Sequence, residues 1–144
     1  AGLVLLPYFE GERTPNLPDA TASLLGLTLA SATRPNLARA AVEGLFCGLA
    51  DGLDAVRANG VLVSRLLLIG GAAQNPAVIA IAAQVFEAPV VVPEPAEYVA
   101  SGAAAQAAWA LTGERQDWPV ALVSAPPVDY RPVIRRQYSA VSGS

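Results

Sequence analysis

No histidine occurs in the 144 residues, which excludes an imidazole general base, a Ser-His-Asp triad and any His-ligated metal centre. Cysteine appears once, at Cys47, so no internal disulfide can form. Within a helical pattern that thiol reads as a small buried hydrophobe, and such cysteine usage points to a reducing, cytoplasmic setting. Lysine is missing too: all nine basic residues are arginine, a pattern that reads as coding bias rather than chemistry. With a net charge of −3 the chain lacks the positive surface that nucleic acids and anionic membranes require. Long apolar runs are also absent. The Ala-rich stretch at residues 99–111 is too short for a bilayer and is interrupted by Ser101 and Gln106. The opening Ala1-Gly2-Leu3-Val4-Leu5-Leu6-Pro7 has no basic n-region and meets proline early, unlike a signal peptide.

What is present is apolar and small. The sequence is 53% hydrophobic, which argues against disorder, although much of that is alanine. Pro7, Gly11, Pro15, Pro18 and Gly26 punctuate residues 1–33, so only short strand or turn pieces are expected there. A first helix should open at Pro35, with Thr33 or Arg34 near its cap, and run to Asn59 before Gly60 stops it. Leu37, Ala41, Leu45, Leu49, Leu53 and Val56 form an apolar stripe along it. Gly44, Gly48 and Gly52 form a second row. Each costs about 1 kcal/mol of helix propensity against alanine, and close packing of another element is the expected compensation. Glu43 should bond to nearby backbone or an arginine, and Asp51 and Asp54 share a solvated helix face. Trp109 and Trp118 read as packing residues.

Residues 66–78, Leu-Leu-Leu-Ile-Gly-Gly-Ala-Ala-Gln-Asn-Pro-Ala-Val, are the most informative stretch: a short buried strand, two glycines, then a cappable helix start. The strand should cover residues 66–69. Helix 2 should start at Pro76 with Asn75 as N-cap and end near Glu87. A second buried strand, Val90-Val91-Val92, precedes Pro93, and a third helix over residues 97–111 ends at Gly113. Such spacing implies a parallel pair. Two parallel strands make a poor sheet by themselves, so the remaining strands are expected upstream. Residues 114–144 read as an irregular tail, disordered from Ser139 onward.

At the corner, Gly70 and Gly71 let the backbone turn sharply and approach a ligand. A plain strand-to-helix turn would use the same residues. Asn75 could read a purine edge or a phosphate oxygen, or simply cap the helix. The spacing is neither the Lys-containing P-loop nor the dinucleotide fingerprint. Glu10, Glu12 and Arg13 could line a cleft, though a loop ion pair between Glu12 and Arg13 is favoured.

Three segments together resemble the C-terminal part of the FGGY family of carbohydrate kinases, most closely its xylulokinase branch. Tyr8-Phe9-Glu10-Gly11-Glu12-Arg13-Thr14-Pro15 is similar to that branch's Gly-Glu-Arg-Thr-Pro segment. Ala22, Leu24, Gly26 and Leu27, followed after eight residues by Asn36, Leu37, Ala40, Ala41, Val42 and Glu43, meet every constrained position of the family's second signature. Gly70-Gly71-Ala72 matches its adenosine motif, with Ile69 where many members carry one more glycine. Residues 90–93 and 97–104 resemble the strand and small-residue helix that follow.

The resemblance implies an α/β fold, part of an actin-like, ribonuclease-H-like ATPase domain with parallel strands and packed helices. Residues 1–113 would be an incomplete C-terminal nucleotide-binding part and residues 114–144 a C-terminal tail. It implies ATP and Mg²⁺ as cofactors and a ketopentose, D-xylulose above all, as phosphoryl acceptor. Gly71 would pack on adenine or ribose, Asn75 would face adenine, and Gly70 and Ala72 would shape the turn. The catalytic carboxylate, phosphate loop and sugar pocket of this family lie upstream, and none of Asp19, Asp51, Asp54, Asp117 or Asp129 matches them. The chain is therefore expected to be inactive alone and to partner a missing N-terminal portion, with homodimerisation open. The competing expectation is a non-catalytic module that binds a protein through the Gly44, Gly48 and Gly52 groove.

Overall fold

The computed structural model describes residues 2–13 and 16–142. Thr14 and Pro15 of the Gly-Glu-Arg-Thr-Pro segment lie outside the described residues, as do Gly143 and Ser144 of the expected disordered end.

A short antiparallel ribbon opens the chain, β1 (Val4–Leu6) against β2 (Ser23–Leu25). The long helix α1 (Arg34–Ala58) follows. Its ends are set locally. Thr33 is the N-cap, its side chain accepting from the Asn36 N–H, Pro35 occupies the first turn, and Gly60 takes a left-handed φ of 82° just past the Asn59 cap. Next come β3 (Leu66–Leu67), a 3₁₀ turn (Gly71–Gln74), α2 (Pro76–Val85), β4 (Val90–Pro93) and α3 (Tyr98–Thr112). The chain ends with β5 (Leu122–Ser124) and α4 (Pro132–Ser142).

β3 and β4 are parallel, as their spacing implies, but the sheet gains its third strand from downstream: β5 pairs antiparallel with β4 in the order β3-β4-β5. β4 ends at Pro93, which is its last residue rather than the first beyond it, and the register with β5 slips at Val92/Pro93, as suits a residue without an N–H to donate.

The expected tail is a correction of larger consequence. Residues 132–142 are helical, and α4 inserts Ile134 and Tyr138 into the core, the latter 1% exposed. That core gathers Leu6 and Tyr8, Phe46 and Cys47 of α1, Ile81 and Val85 of α2, and Phe86, whose ring stands edge-on to Phe46 at 5.6 Å between centroids. Arg135 fastens α4 to α1. One guanidinium nitrogen donates to the Cys47 carbonyl at 2.8 Å, and the other reaches Asp51 at 2.7 Å and Asp54 at 3.0 Å. The Asp51 side chain is 12% exposed, so it is a buried partner rather than a solvated surface group. Arg39 pairs with Glu43, as expected of that carboxylate, and continues through Gln84 to Asp129 ahead of α4.

α1 presents the opposite face from the one its leucines suggest. Ala40, Gly44, Phe46, Cys47 and Ala50 are buried, whereas Leu45, Leu49 and Val56 are 56%, 63% and 45% exposed. Small residues win the interior because the arriving elements supply the bulk. A Cβ on Gly44 would sit 2.3 Å from the Leu5 carbonyl oxygen of β1. Tyr138 lies in ordinary contact beside Gly48, and nothing lies near Gly52. The glycine row is thus partly filled from within the chain and does not form a continuous docking groove. Trp109 and Trp118 are 50% and 46% exposed and pack less than expected.

Candidate nucleotide site

β3 ends where its backbone stops donating to β4. The Leu66 N–H bonds to the Pro89 carbonyl at 2.8 Å and the Leu68 N–H to the Val91 carbonyl at 2.9 Å. The chain then turns at Gly70, whose φ of 97° and ψ of 173° belong to a region essentially restricted to glycine. A single 3₁₀ turn carries it into α2. The Asn75 side-chain oxygen caps that helix, accepting from the Ala77 N–H at 2.9 Å.

This corner opens on a hollow of about 640 Å³ at the carboxyl ends of β3 and β4, within the range of small-molecule sites. Gly70, Gly71 and Gln74 form one wall, Glu97 and Tyr98 at the start of α3 another, and Pro93 sits at the base. A Cβ built on either glycine would meet nothing within 4 Å, so the bare backbone faces open space. The Tyr98 hydroxyl donates to the Glu94 carbonyl, holding the ring at the rim.

Of the four sequence-derived site residues, Gly70 and Gly71 line this hollow. Ala72 and Asn75 are exposed on the same turn and do not line it. Gln74, Pro93 and Tyr98 were not singled out as site residues. The available signal was the Pro-Glu-Pro-Ala-Glu-Tyr run after β4, which a parallel neighbour of β3 delivers to the same sheet end.

The donor set fits one end of a nucleotide better than the other. Glycine backbone, apolar side chains, the Gln74 amide, the Tyr98 phenol, the Ser124 hydroxyl and the Glu97 carboxylate suit a base and ribose, and the lining contains no arginine. Among the described residues no group of three or more His, Cys, Asp or Glu side chains could hold a metal ion. Glu12 accepts from the Arg13 backbone N–H at 2.7 Å and does not line the hollow. No helix of the described residues is long and apolar enough to cross a membrane.

A glycine corner at the carboxyl ends of parallel strands, beside an open hollow, is how open α/β sheets take phosphorylated ligands. The comparisons with known proteins narrow that class. The model of the FGGY family of carbohydrate kinases, C-terminal domain, matches residues 1–111. The chain is 42% identical over 109 residues to a xylulose kinase of Haemophilus influenzae, covering 76% of this chain and 22% of that protein. It is 44% identical over 113 residues to a xylulose kinase of Streptomyces coelicolor, covering 78% and 23%. Among solved structures, the xylulose kinase of Bifidobacterium adolescentis superposes with a TM-score of 0.79 at 44% identity, over 96% of this chain and 28% of that one. Glycerol kinases and a gluconate kinase are also among the similar proteins. The chain belongs to the FGGY family of carbohydrate kinases and has the actin-like ATPase fold of its C-terminal domain. It spans less than a quarter of the length of the curated relatives above.

Proposed function

We propose that this chain is the ATP-binding C-terminal portion of a sugar kinase that transfers the γ-phosphate of ATP to a ketopentose, D-xylulose above all. The Gly70-Gly71 corner and its open hollow carry the reading. Gly71 presents bare backbone to adenine or ribose, Gly70 and Ala72 set the turn, and Asn75, exposed on the same turn though outside the lining, reaches the base with the amide nitrogen that capping leaves over. Residues 1–113 form an incomplete nucleotide-binding part and residues 114–144 the C-terminal tail, of which α4 packs against α1. Phosphoryl transfer to a hydroxyl requires a positioned carboxylate base and donors for the transferring phosphate. These groups, the sugar pocket and the Mg²⁺ ligands belong to the N-terminal portion, so the chain alone is inactive. It acts in the cytoplasm.

The test is ADP release from the complete kinase across D-xylulose, D-ribulose, gluconate and glycerol, with Gly71→Ala beside it. D-Xylulose should give the highest kcat/KM. Gly71→Ala should leave the melting temperature in place, because its Cβ meets nothing within 4 Å, yet raise KM for ATP by about tenfold, the loss of about 1.4 kcal/mol of contact. Preference for glycerol or gluconate would refute the sugar assignment. An unchanged KM for ATP would refute the corner.

A further inference from the structure

We infer that the Glu97 carboxylate reads the ribose of the bound nucleotide, accepting from its 2′- and 3′-hydroxyls. This rests on the nucleotide reading above. Glu97 is the only acidic or basic side chain that lines the hollow, on the wall opposite Gly70 and Gly71. The backbone beneath it is fixed while the side chain is left free. At φ −84° and ψ 67°, Glu97 is the central residue of an inverse γ-turn, closed by the Tyr98 N–H on the Ala96 carbonyl at 3.0 Å. Its own carbonyl accepts from the Ser101 N–H at 2.9 Å, and the Tyr98 hydroxyl bonds back to the Glu94 carbonyl. An oxygen-bearing side chain at an N-cap ordinarily accepts from the N–H groups of its helix. Glu97 makes no such bond, and its side chain has no hydrogen-bond or ion-pair partner among the described residues.

A carboxylate only accepts, and that decides which part of ATP it can serve. Phosphate oxygens are acceptors of the same sign and are repelled. The adenine edge sets a ring acceptor beside its amino group, so a carboxylate laid along it would gain one bond and oppose a lone pair. An amide such as Gln74, which both donates and accepts, matches that edge better. The ribose offers two donors on adjacent carbons, and one carboxylate can take both, as the acidic residue of dinucleotide-binding folds takes a ribose hydroxyl. The wall that bears Glu97 therefore holds the ribose, and the phosphates leave away from it.

The experiment measures KM and kcat of the complete kinase with ATP, 2′-deoxy-ATP, 3′-deoxy-ATP and GTP, for wild type, Glu97→Ala and Glu97→Gln. In wild type each deoxy form should raise KM about tenfold over ATP, the loss of one charge-assisted hydrogen bond worth about 1.4 kcal/mol. Glu97→Ala should raise KM for ATP by about tenfold or more and bring the adenine nucleotides to within about twofold of one another, with KM for the phosphoryl acceptor unchanged. Glu97→Gln, neutral but still an acceptor, should fall between. ATP and its deoxy forms carry the same charge, so their ratio is blind to a general electrostatic effect. Glu97 is exposed, so the urea midpoint should not move. A discrimination that survives Glu97→Ala, a wild type indifferent to the deoxy forms, a loss confined to kcat, or a preference for GTP that Glu97→Ala abolishes would each overturn the inference. Gly71→Ala separates it from the reading it rests on, because that variant should raise KM for all the adenine nucleotides alike. Such a rise, beside an intact deoxy discrimination in Glu97→Ala, would sink Glu97 and leave the corner standing.

Discussion

Gly44, Gly48 and Gly52 lie on one row of one helix, and the structure assigns their alanine variants opposite signs. Helix propensity alone favours alanine at each position by about 1 kcal/mol. At Gly52 nothing offsets that gain, because a Cβ there meets no atom within 4 Å. At Gly48 the nearest atom is the Tyr138 hydroxyl at 3.7 Å, ordinary contact, so most of the gain survives. At Gly44 the new methyl would lie 2.3 Å from the Leu5 carbonyl oxygen and 3.2 Å from its carbon. Those are backbone atoms of β1, which cannot swing aside as a side-chain tip could. Moving β1 away loosens Leu6 and Tyr8 in the core, and overpacking of this kind costs about 1–3 kcal/mol. With the propensity gain of about 1 kcal/mol set against that cost, Gly44→Ala should be less stable than wild type by up to about 2 kcal/mol, and Gly52→Ala more stable by up to about 1 kcal/mol. The two midpoints in urea should differ by about 1 M at the slopes usual for small proteins, and the melting temperatures by about 5–10 °C. Gly44→Ala as stable as wild type would show that β1 does not rest on α1, and the assignment of the buried face would fall with it.

Removing Arg135 should be costly, because Arg135→Met leaves the nearly buried Asp51 carboxylate and the Cys47 carbonyl without their donor. A loss of about 2–4 kcal/mol in urea denaturation is expected, and Asp51→Asn in the same chain should return part of it; additive losses would refute the coupling. Burial pushes the Cys47 thiol from 9.0 to about 11, so the folded chain keeps the proton that the unfolded chain releases. Its contribution to stability is complete below about pH 9 and is lost as pH rises towards 11. Urea midpoints should fall across that window and fall less in Cys47→Ala; identical pH profiles would refute it.

Sequence reasoning succeeded where the determinants are local. Thr33, Pro35 and Gly60 fixed the ends of α1, Asn75 and Pro76 the start of α2, and Gly113, at φ 74°, the end of α3. The Gly70-Gly71 corner was legible for the same reason: its turn depends on Gly70, whose φ of 97° is open to a residue without a Cβ. It failed where burial depends on distant partners. The leucine row of α1 is the stronger apolar signal, yet the small row is buried, because β1 and α4 supply Leu5, Leu6 and Tyr138 from the two ends of the sequence. α4 was missed because only Ile134 and Tyr138 of its central residues are buried, amid arginines, glutamine and serine. The tail's order comes from long-range bonds such as the Arg135 fork and the Arg131 N–H to the Gln84 carbonyl at 2.8 Å. Gln74 and Tyr98 escaped notice because strand pairing, not sequence proximity, brings them together.

The distribution of packing also suits the corner proposed for the nucleotide. The buried cluster joins β1, α1, α2, α4 and Val90 of β4, while α3 buries no residue and β5 is largely exposed. A site for a ligand that must enter and leave belongs at the loosely packed end, since elements that move are drawn from the less stable part of a fold. Gly70 and Gly71 stand at the boundary: their strand is tied to β4, and their helix carries Ile81 and Val85 into the core. The corner is consequently held from behind by the buried core, while the wall it faces rises from buried Pro93 at the end of β4 to the exposed residues 94–97 and the start of α3, which buries no residue. A nucleotide binding there would meet a preformed backbone on one side and an adjustable surface on the other.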